Sequence, residues 1–183
     1  VGGLAPAAPG YRIIDIAPVP GGGLSAAESV HRTPRGWAAS AWRLDAAYAV
    51  PPAFWARVLP RVRSEFPDAW FVGEVIHGDY AGIIERSSMD SLTQYELWKA
   101  IWSSLLDENF FELDWCLNRH NGFLDVFTPL TFVGNHDVTR IASRIGDAKA
   151  ALAVTVLLTV GGVPAIYYGD EQAFRGVKTD RPS

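Results

Sequence analysis

The stretch Ala41-Trp42-Arg43-Leu44-Asp45-Ala46-Ala47-Tyr48 decides how this chain reads. In an extended segment side chains alternate, so Arg43 and Asp45 share one face while Trp42, Leu44 and Ala46 take the other. A guanidinium beside a carboxylate keeps the carboxylate ionised, which is what a nucleophile needs. Taken alone, the pair reads first as a structural ion pair at a strand end. The same pattern recurs further along, and that recurrence changes its meaning.

Trp70-Phe71-Val72 is a short β-type run closed by Gly73-Glu74, and Thr131-Phe132-Val133 is another, closed by Gly134-Asn135-His136-Asp137. A fourth run, Ala165-Ile166-Tyr167-Tyr168, ends at Gly169-Asp170-Glu171. The intervening spacing predicts helices. Pro51-Pro52 suits a helix start, and Phe54, Val58, Val62 and Phe66 recur at every fourth position as one apolar face that Pro67 terminates. A second helix is predicted around Tyr80 to Arg86, an extended segment around Ser91 to Gln94, and a long helical region from Tyr95 to about Phe127. In that region Trp98, Ile101, Trp102 and Leu105 show core spacing. The apolar run Ala150 to Val163 is too short to span a bilayer and predicts a buried helix.

Strand, polar end, helix, strand is the pattern of parallel β/α units, whose functional groups gather at the carboxyl edge of the sheet. Asp45, Glu74 and Asp137 should therefore face one mouth. Two carboxylates across a bound sugar suffice for glycoside hydrolysis: one attacks the anomeric carbon, the other protonates the leaving oxygen and then activates water. Arg43 would keep Asp45 anionic as the attacking group, while Glu74, behind an apolar run, would sit in a less solvated pocket and stay protonated as the acid. Asp137, with His136 beside it, would stabilise positive charge or grip hydroxyls. Each of these residues also has a plainer reading, Glu74 as an ordinary strand-end acid and His136 as a hydrogen-bonded structural histidine. His77 and His120 are isolated and carry no expected role. No second His or Cys stands at ligand spacing from His136, so it is not expected to ligate a metal, and no cofactor is expected.

With 183 residues, 49% of them hydrophobic, the chain can bury one sizeable core. A net charge of -4 and the lack of a long basic run argue against nucleic-acid or acidic-membrane partners. A neutral, polar small substrate fits better. The single cysteine, Cys116, allows no internal disulfide, and with no visible signal peptide the expected location is cytoplasmic. Residues 1–40 are rich in Gly, Ala, Pro and Ser. They offer one apolar island, Tyr11 to Ile16, as a strand, with turn chemistry at Pro18 to Gly23 and at Thr33-Pro34-Arg35-Gly36.

The strand-end motifs resemble a known family. Trp42-Arg43-Leu44-Asp45-Ala46-Ala47 is similar to the fourth-strand motif of the α-amylase family of glycoside hydrolases (family 13). Gly73-Glu74-Val75 is similar to its fifth-strand motif and Phe132-Val133-Gly134-Asn135-His136-Asp137 to its seventh. The stretch Gly162 to Glu171 resembles the surroundings of its eighth strand. The resemblance implies a TIM-type (β/α)₈ barrel and a retaining mechanism, with Asp45 as nucleophile, Glu74 as acid/base, Asp137 as transition-state stabiliser, and Arg43, Asn135 and His136 as substrate-binding residues. It implies an α-glucan or oligosaccharide substrate, with hydrolysis or transglycosylation completing the reaction. A truncated, non-catalytic carbohydrate-binding fragment is the reading from another class.

Two departures qualify the match. Ala41 stands where the family usually has Gly. The family's third-strand Asp…Asn-His motif does not occur, since Asp15 is followed by Ile-Ala-Pro-Val-Pro, and with it goes the insertion that in this family usually carries a calcium site, so no metal is expected. A barrel of this type needs about 250 residues. The expected organisation is therefore a segment 1–40 without motif match and a partial barrel, strands four to eight, over residues 41–183. Its open sheet edges predict self-association.

Overall fold

The computed structural model describes residues 30–33, 36–39 and 41–179. Strands β1 (Val30–Thr33) and β2 (Gly36–Ala39) pair antiparallel, with Val30 opposite Ala39 and Thr33 opposite Gly36. The sequence reading does not anticipate these strands, and its Tyr11–Ile16 strand and its turns at Pro18 to Gly23 and Pro34-Arg35 lie outside the described residues.

Strands β3 (Ala41–Leu44), β4 (Trp70–Gly73) and β5 (Ser91–Leu92) are parallel neighbours in that order. β6 (Leu130–Phe132) and β7 (Val163–Ala165) are a second parallel pair. A parallel bridge between Thr93 and Leu130 joins the end of β5 to β6. From β3 to β7, spatial neighbours are also sequence neighbours, as happens when each crossover returns the chain to the amino edge of the sheet. β7 lies earlier than the predicted fourth run: it pairs only as far as its partner extends, Phe132 with Ala165, so Ile166 to Tyr168 follow the strand instead of forming it.

Helix α1 (Pro52–Glu65) starts with proline in its first turn, runs through Pro60 and stops before Pro67. Its buried face is Trp55 and Leu59. Phe54 and Phe66, expected on that face, are exposed. Two stripes with the same period exist, and the strands select the one offset by a single residue. α2 (Tyr80–Ser87) is capped by Asp79, whose carboxylate accepts from the Gly82 N–H at 3.0 Å. The long region after Tyr95 is two helices, α3 (Tyr95–Asp107) and α4 (Phe111–Leu124). The break falls at Glu108, in the left-handed region at φ 54°, without the glycine that usually marks such a position.

A short α5 (Ile141–Ile145), not predicted, precedes α6 (Asp147–Thr159). α6 is amphipathic in burial, not buried throughout: Ala150, Ala153 and Leu157 face the core, while Leu152 and Leu158 are exposed. α3 to α6 share one core cluster built on Leu97, Ile101, Leu113, Ile141 and Leu157. A second cluster holds Trp55, Leu59, Phe71, Val75 and Leu92 beneath β3 and β4. Fully burying side chains of this size stabilises by about 1.5–3 kcal/mol each. His120 is wholly buried, with Nε2 2.7 Å from the Gly161 carbonyl and Nδ1 3.4 Å from Gln94 Nε2, and so ties α4 to the β7 approach. Among the described residues no helix is long and apolar enough to cross a membrane.

One glycine sits where the sheet end is tightest. A Cβ added at Gly134 would lie 2.2 Å from the Asp170 carboxylate. That carboxylate is buried, and burial pushes it up from its ordinary range, opposed by the Arg140 guanidinium 3.2 Å away. Gly134→Ala is expected to displace Asp170 from Arg140 and cost about 1–3 kcal/mol, the usual penalty for overpacking a fixed site. Urea denaturation measures this, and a variant as stable as the parent would show that Asp170 moves aside freely.

Candidate active site

The sheet's carboxyl edge carries the residues singled out by sequence. Arg43, on β3, is buried among polar partners: its Nη1 donates to Asp45 Oδ1 at 2.6 Å, and its Nη2 lies 2.5 Å from Glu74 Oε1 and 3.6 Å from Asp137 Oδ2. The Glu74 contact is an ion pair that does not meet hydrogen-bond geometry. Three carboxylates from three strand ends thus converge on one guanidinium. Their exposures differ. The Glu74 side chain is 11% exposed, against 51% for Asp45 and 43% for Asp137.

The backbone explains why these side chains meet. Arg43 stands opposite Val72 and Leu44 opposite Gly73 in the β3–β4 register. The Glu74 N–H then donates to the Leu44 carbonyl at 3.0 Å, so Asp45 and Glu74 leave adjacent strands at one level. Ala46 follows in the left-handed region at φ 46°, which a residue with a Cβ rarely adopts. That turn aims the Ala46 N–H at Glu74 Oε2, 2.8 Å away. Strain next to a candidate catalytic group is the kind of outlier that points to function. Beyond Glu74, Thr93 Oγ1 accepts from the Val75 N–H at 2.9 Å and donates to the Val75 carbonyl at 3.0 Å, clamping the chain.

Glu74 has the seclusion that the sequence suggests, but its pocket is lined with donors. Besides Arg43 and the Ala46 N–H, the Tyr95 hydroxyl donates to Oε1 at 3.2 Å. Tyr95 is a residue of the site that sequence reasoning missed. It follows the carboxyl end of β5 as Asp45 and Glu74 follow β3 and β4, and that position was the available signal. Its ring packs edge-on against Phe132 and Trp98. Burial, reinforced by the facing Glu74 carboxylate, holds its hydroxyl protonated well above the ordinary phenol range.

On the third strand end, Asn135 Oδ1 accepts from the Asp137 N–H at 2.9 Å and its amide donates to Tyr95 Oη at 2.9 Å. His136 Nε2 lies 3.1 Å from Asp137 Oδ2, and Lys178 Nζ donates to the His136 carbonyl at 3.1 Å. A cavity of about 70 Å³ beneath the mouth is lined by Arg43, Thr93, Phe132, Asn135 and His136, among others. Among the described residues no group of three His, Cys, Asp or Glu side chains is placed to hold a metal ion.

Parallel β/α units with carboxylates collected at the strands' carboxyl ends define a barrel-type site. The chain matches the family model "Alpha amylase, catalytic domain" over residues 51–182, and it belongs to the α-amylase family. The match includes Glu74, Asn135, His136 and Asp137 and begins after Arg43 and Asp45, which join the site through the β3–β4 register. A second model, "Bacterial alpha-L-rhamnosidase C-terminal domain", matches residues 3–65.

Among similar proteins, a maltogenic α-amylase of Bacillus acidopullulyticus is 30% identical over 142 residues, 74% of this chain and 24% of its own length. A 4-α-glucanotransferase of Thermotoga neapolitana is 31% identical over 128 residues, covering 68% and 27%. Among solved structures, the α-amylase of Geobacillus thermoleovorans complexed with acarbose superposes with a TM-score of 0.68 at 29% identity, over 76% of this chain and 34% of the other. The chain spans about a quarter of the length of the two curated relatives.

Proposed function

We propose that residues 41–183 form the second half of the catalytic barrel of an enzyme that cleaves α-glucosidic bonds in starch-like or maltooligosaccharide substrates with retention. The observation that carries this reading is the convergence of Asp45, Glu74 and Asp137 on Arg43. Asp45 and Glu74 both touch a single guanidinium. Two carboxylates gathered on one guanidinium support a retaining pair, whose carboxyls stand about 5–5.5 Å apart, over an inverting pair, whose roughly 6.5–9.5 Å leaves room for a water between them.

In the first step the Asp45 carboxylate forms a bond to the anomeric carbon as the glycosidic C–O bond breaks, and the proton of Glu74 goes to the leaving oxygen. In the second, Glu74 takes a proton from water, whose oxygen attacks the anomeric carbon and releases Asp45. Asp137 stabilises the positive charge that builds on the sugar, and His136 beside it contacts hydroxyls. The half-exposed Asp45 is open to substrate, and the secluded Glu74 is screened from bulk water, as their different tasks require.

A sugar hydroxyl in place of water would make the same site a transglycosylase. The similarity to a 4-α-glucanotransferase supports that second reading, and product analysis by chromatography separates the two. The primary test is covalent trapping: incubation of the whole protein with a fluorinated glucosyl substrate that slows the second step, followed by peptide mass spectrometry. The expected label is on Asp45. A label on any other residue, or none, overturns the assignment.

A further inference from the structure

The Glu74 carboxylate is joined to the backbone of Asp137 by a second connection that does not pass through Arg43. The Asp137 N–H donates to Asn135 Oδ1, the Asn135 amide donates to Tyr95 Oη, and the Tyr95 hydroxyl donates to Glu74 Oε1. The direction of this chain is fixed at both ends. The backbone N–H can only donate, so the Asn135 carbonyl faces it and the amide faces Tyr95. Tyr95 keeps its proton, so it spends that proton on Glu74. The tyrosine is fixed in place by a three-ring cluster, its ring packed edge-on against Phe132 and Trp98 at 4.8 and 5.9 Å between centroids.

We infer that Tyr95 is a positioning residue that holds the Glu74 carboxyl in its proton-donating orientation and ties it to the Asn135-His136-Asp137 turn. This rests on the reading of Glu74 as acid/base. A carboxylate has about four acceptor sites. Tyr95, at the start of α3, and the Ala46 N–H, just beyond β3, take two of them by hydrogen bonds, and Arg43 of β3 lies against Oε1 as an ion pair, which leaves room for the substrate oxygen. Asp45 and Asp137 also face Glu74 across Arg43, and His136 and Lys178 pair with Asp137. Losing the tyrosine donor frees the carboxyl to rotate about its last bond while the Arg43 contact persists. The loss should therefore fall on proton delivery and not on substrate binding.

The test compares Tyr95→Phe with the unaltered whole protein on two substrates. One is a maltooligosaccharide, whose poor leaving group needs a proton; the other is an α-glucosyl fluoride, whose leaving group does not. For both, kcat/KM reports the first step of a covalent mechanism. The expected result is a loss of about 10-fold to 100-fold on the maltooligosaccharide, the size of one hydrogen bond to a charged group, carried by kcat, with the fluoride close to unchanged. Asn135→Ala, which keeps the tyrosine but removes its own donor, is expected to give a smaller loss with the same substrate dependence, and it carries the test should the first variant not fold. An equal loss on both substrates, or no loss on either, overturns the positioning role. No turnover of either substrate by the unaltered protein overturns the glycosidase reading instead, and this inference with it.

Discussion

Arg43→Leu is expected to destabilise the protein by about 3–5 kcal/mol, the cost of leaving a buried charge without its partner. The effect comes mainly from one contact. Asp45 and Asp137 are about half exposed and would be resolvated by water, so their ion pairs contribute little. Glu74 is only 11% exposed and would keep just the Ala46 N–H and the Tyr95 hydroxyl as partners. Urea denaturation of the variant measures the loss, and Arg43→Leu combined with Glu74→Gln should regain most of it, because the uncompensated charge is gone. Arg43→Lys should fall between, since a single ammonium cannot present two nitrogens to Asp45 and Glu74 at once. A loss below about 1 kcal/mol in Arg43→Leu would mean that water reaches Glu74 more freely than its seclusion indicates.

The polar strand ends were legible because each repeats one local device, a β-type apolar run followed at once by an acid. Arg43 and Asp45 needed only the two-residue alternation of a strand to fall on one face. Helix α1 shows where such rules stop. Phe54/Val58 and Trp55/Leu59 both recur at helical spacing, and periodicity alone does not say which stripe the strands will bury. The same limit applies to α6, whose apolar run is continuous although only one side of it meets the core. The α3–α4 break at Glu108 carried no glycine or proline, and the chain turns there because α4 must pack back on α3. β7 was placed late because Ile166 to Tyr168 are good strand formers, yet a strand ends where its partner ends. Tyr95 was hidden for a different reason: its place after β5 marks it, but its hydroxyl's partners, Glu74 and Asn135, lie twenty-one and forty residues away in sequence, and no local pattern announces those contacts.

The largest kinetic effect is expected at Asp45. Asp45→Asn keeps the side chain's shape and its neighbour Arg43 but removes the anion that forms the bond to the anomeric carbon. Turnover in the whole protein should fall by a factor on the order of 10⁴ or more, the range seen when a catalytic nucleophile or its polarity is lost. The loss should be the same for a maltooligosaccharide and for a glucosyl fluoride, because neither leaving group can supply the missing attack. Glu74→Gln should behave differently. With the maltooligosaccharide its loss should be about 10² to 10⁴, the contribution of a positioned proton donor. With the fluoride the first step is spared while the second still lacks its base. Each protein molecule should therefore release one fluoride in a rapid burst and then stall as the glycosyl-enzyme on Asp45. Stopped-flow fluoride release and intact-protein mass spectrometry read both features. An Asp45→Asn variant within tenfold of the parent would remove Asp45 from the chemistry, and a Glu74→Gln variant that loses equally on both substrates without a burst would remove Glu74 from proton transfer. The contrast between the two variants is a consequence of where the structure puts the two carboxylates. They share one guanidinium, but only Asp45 stands open at the mouth, while Glu74 is held from behind by the Ala46 N–H and the Tyr95 hydroxyl.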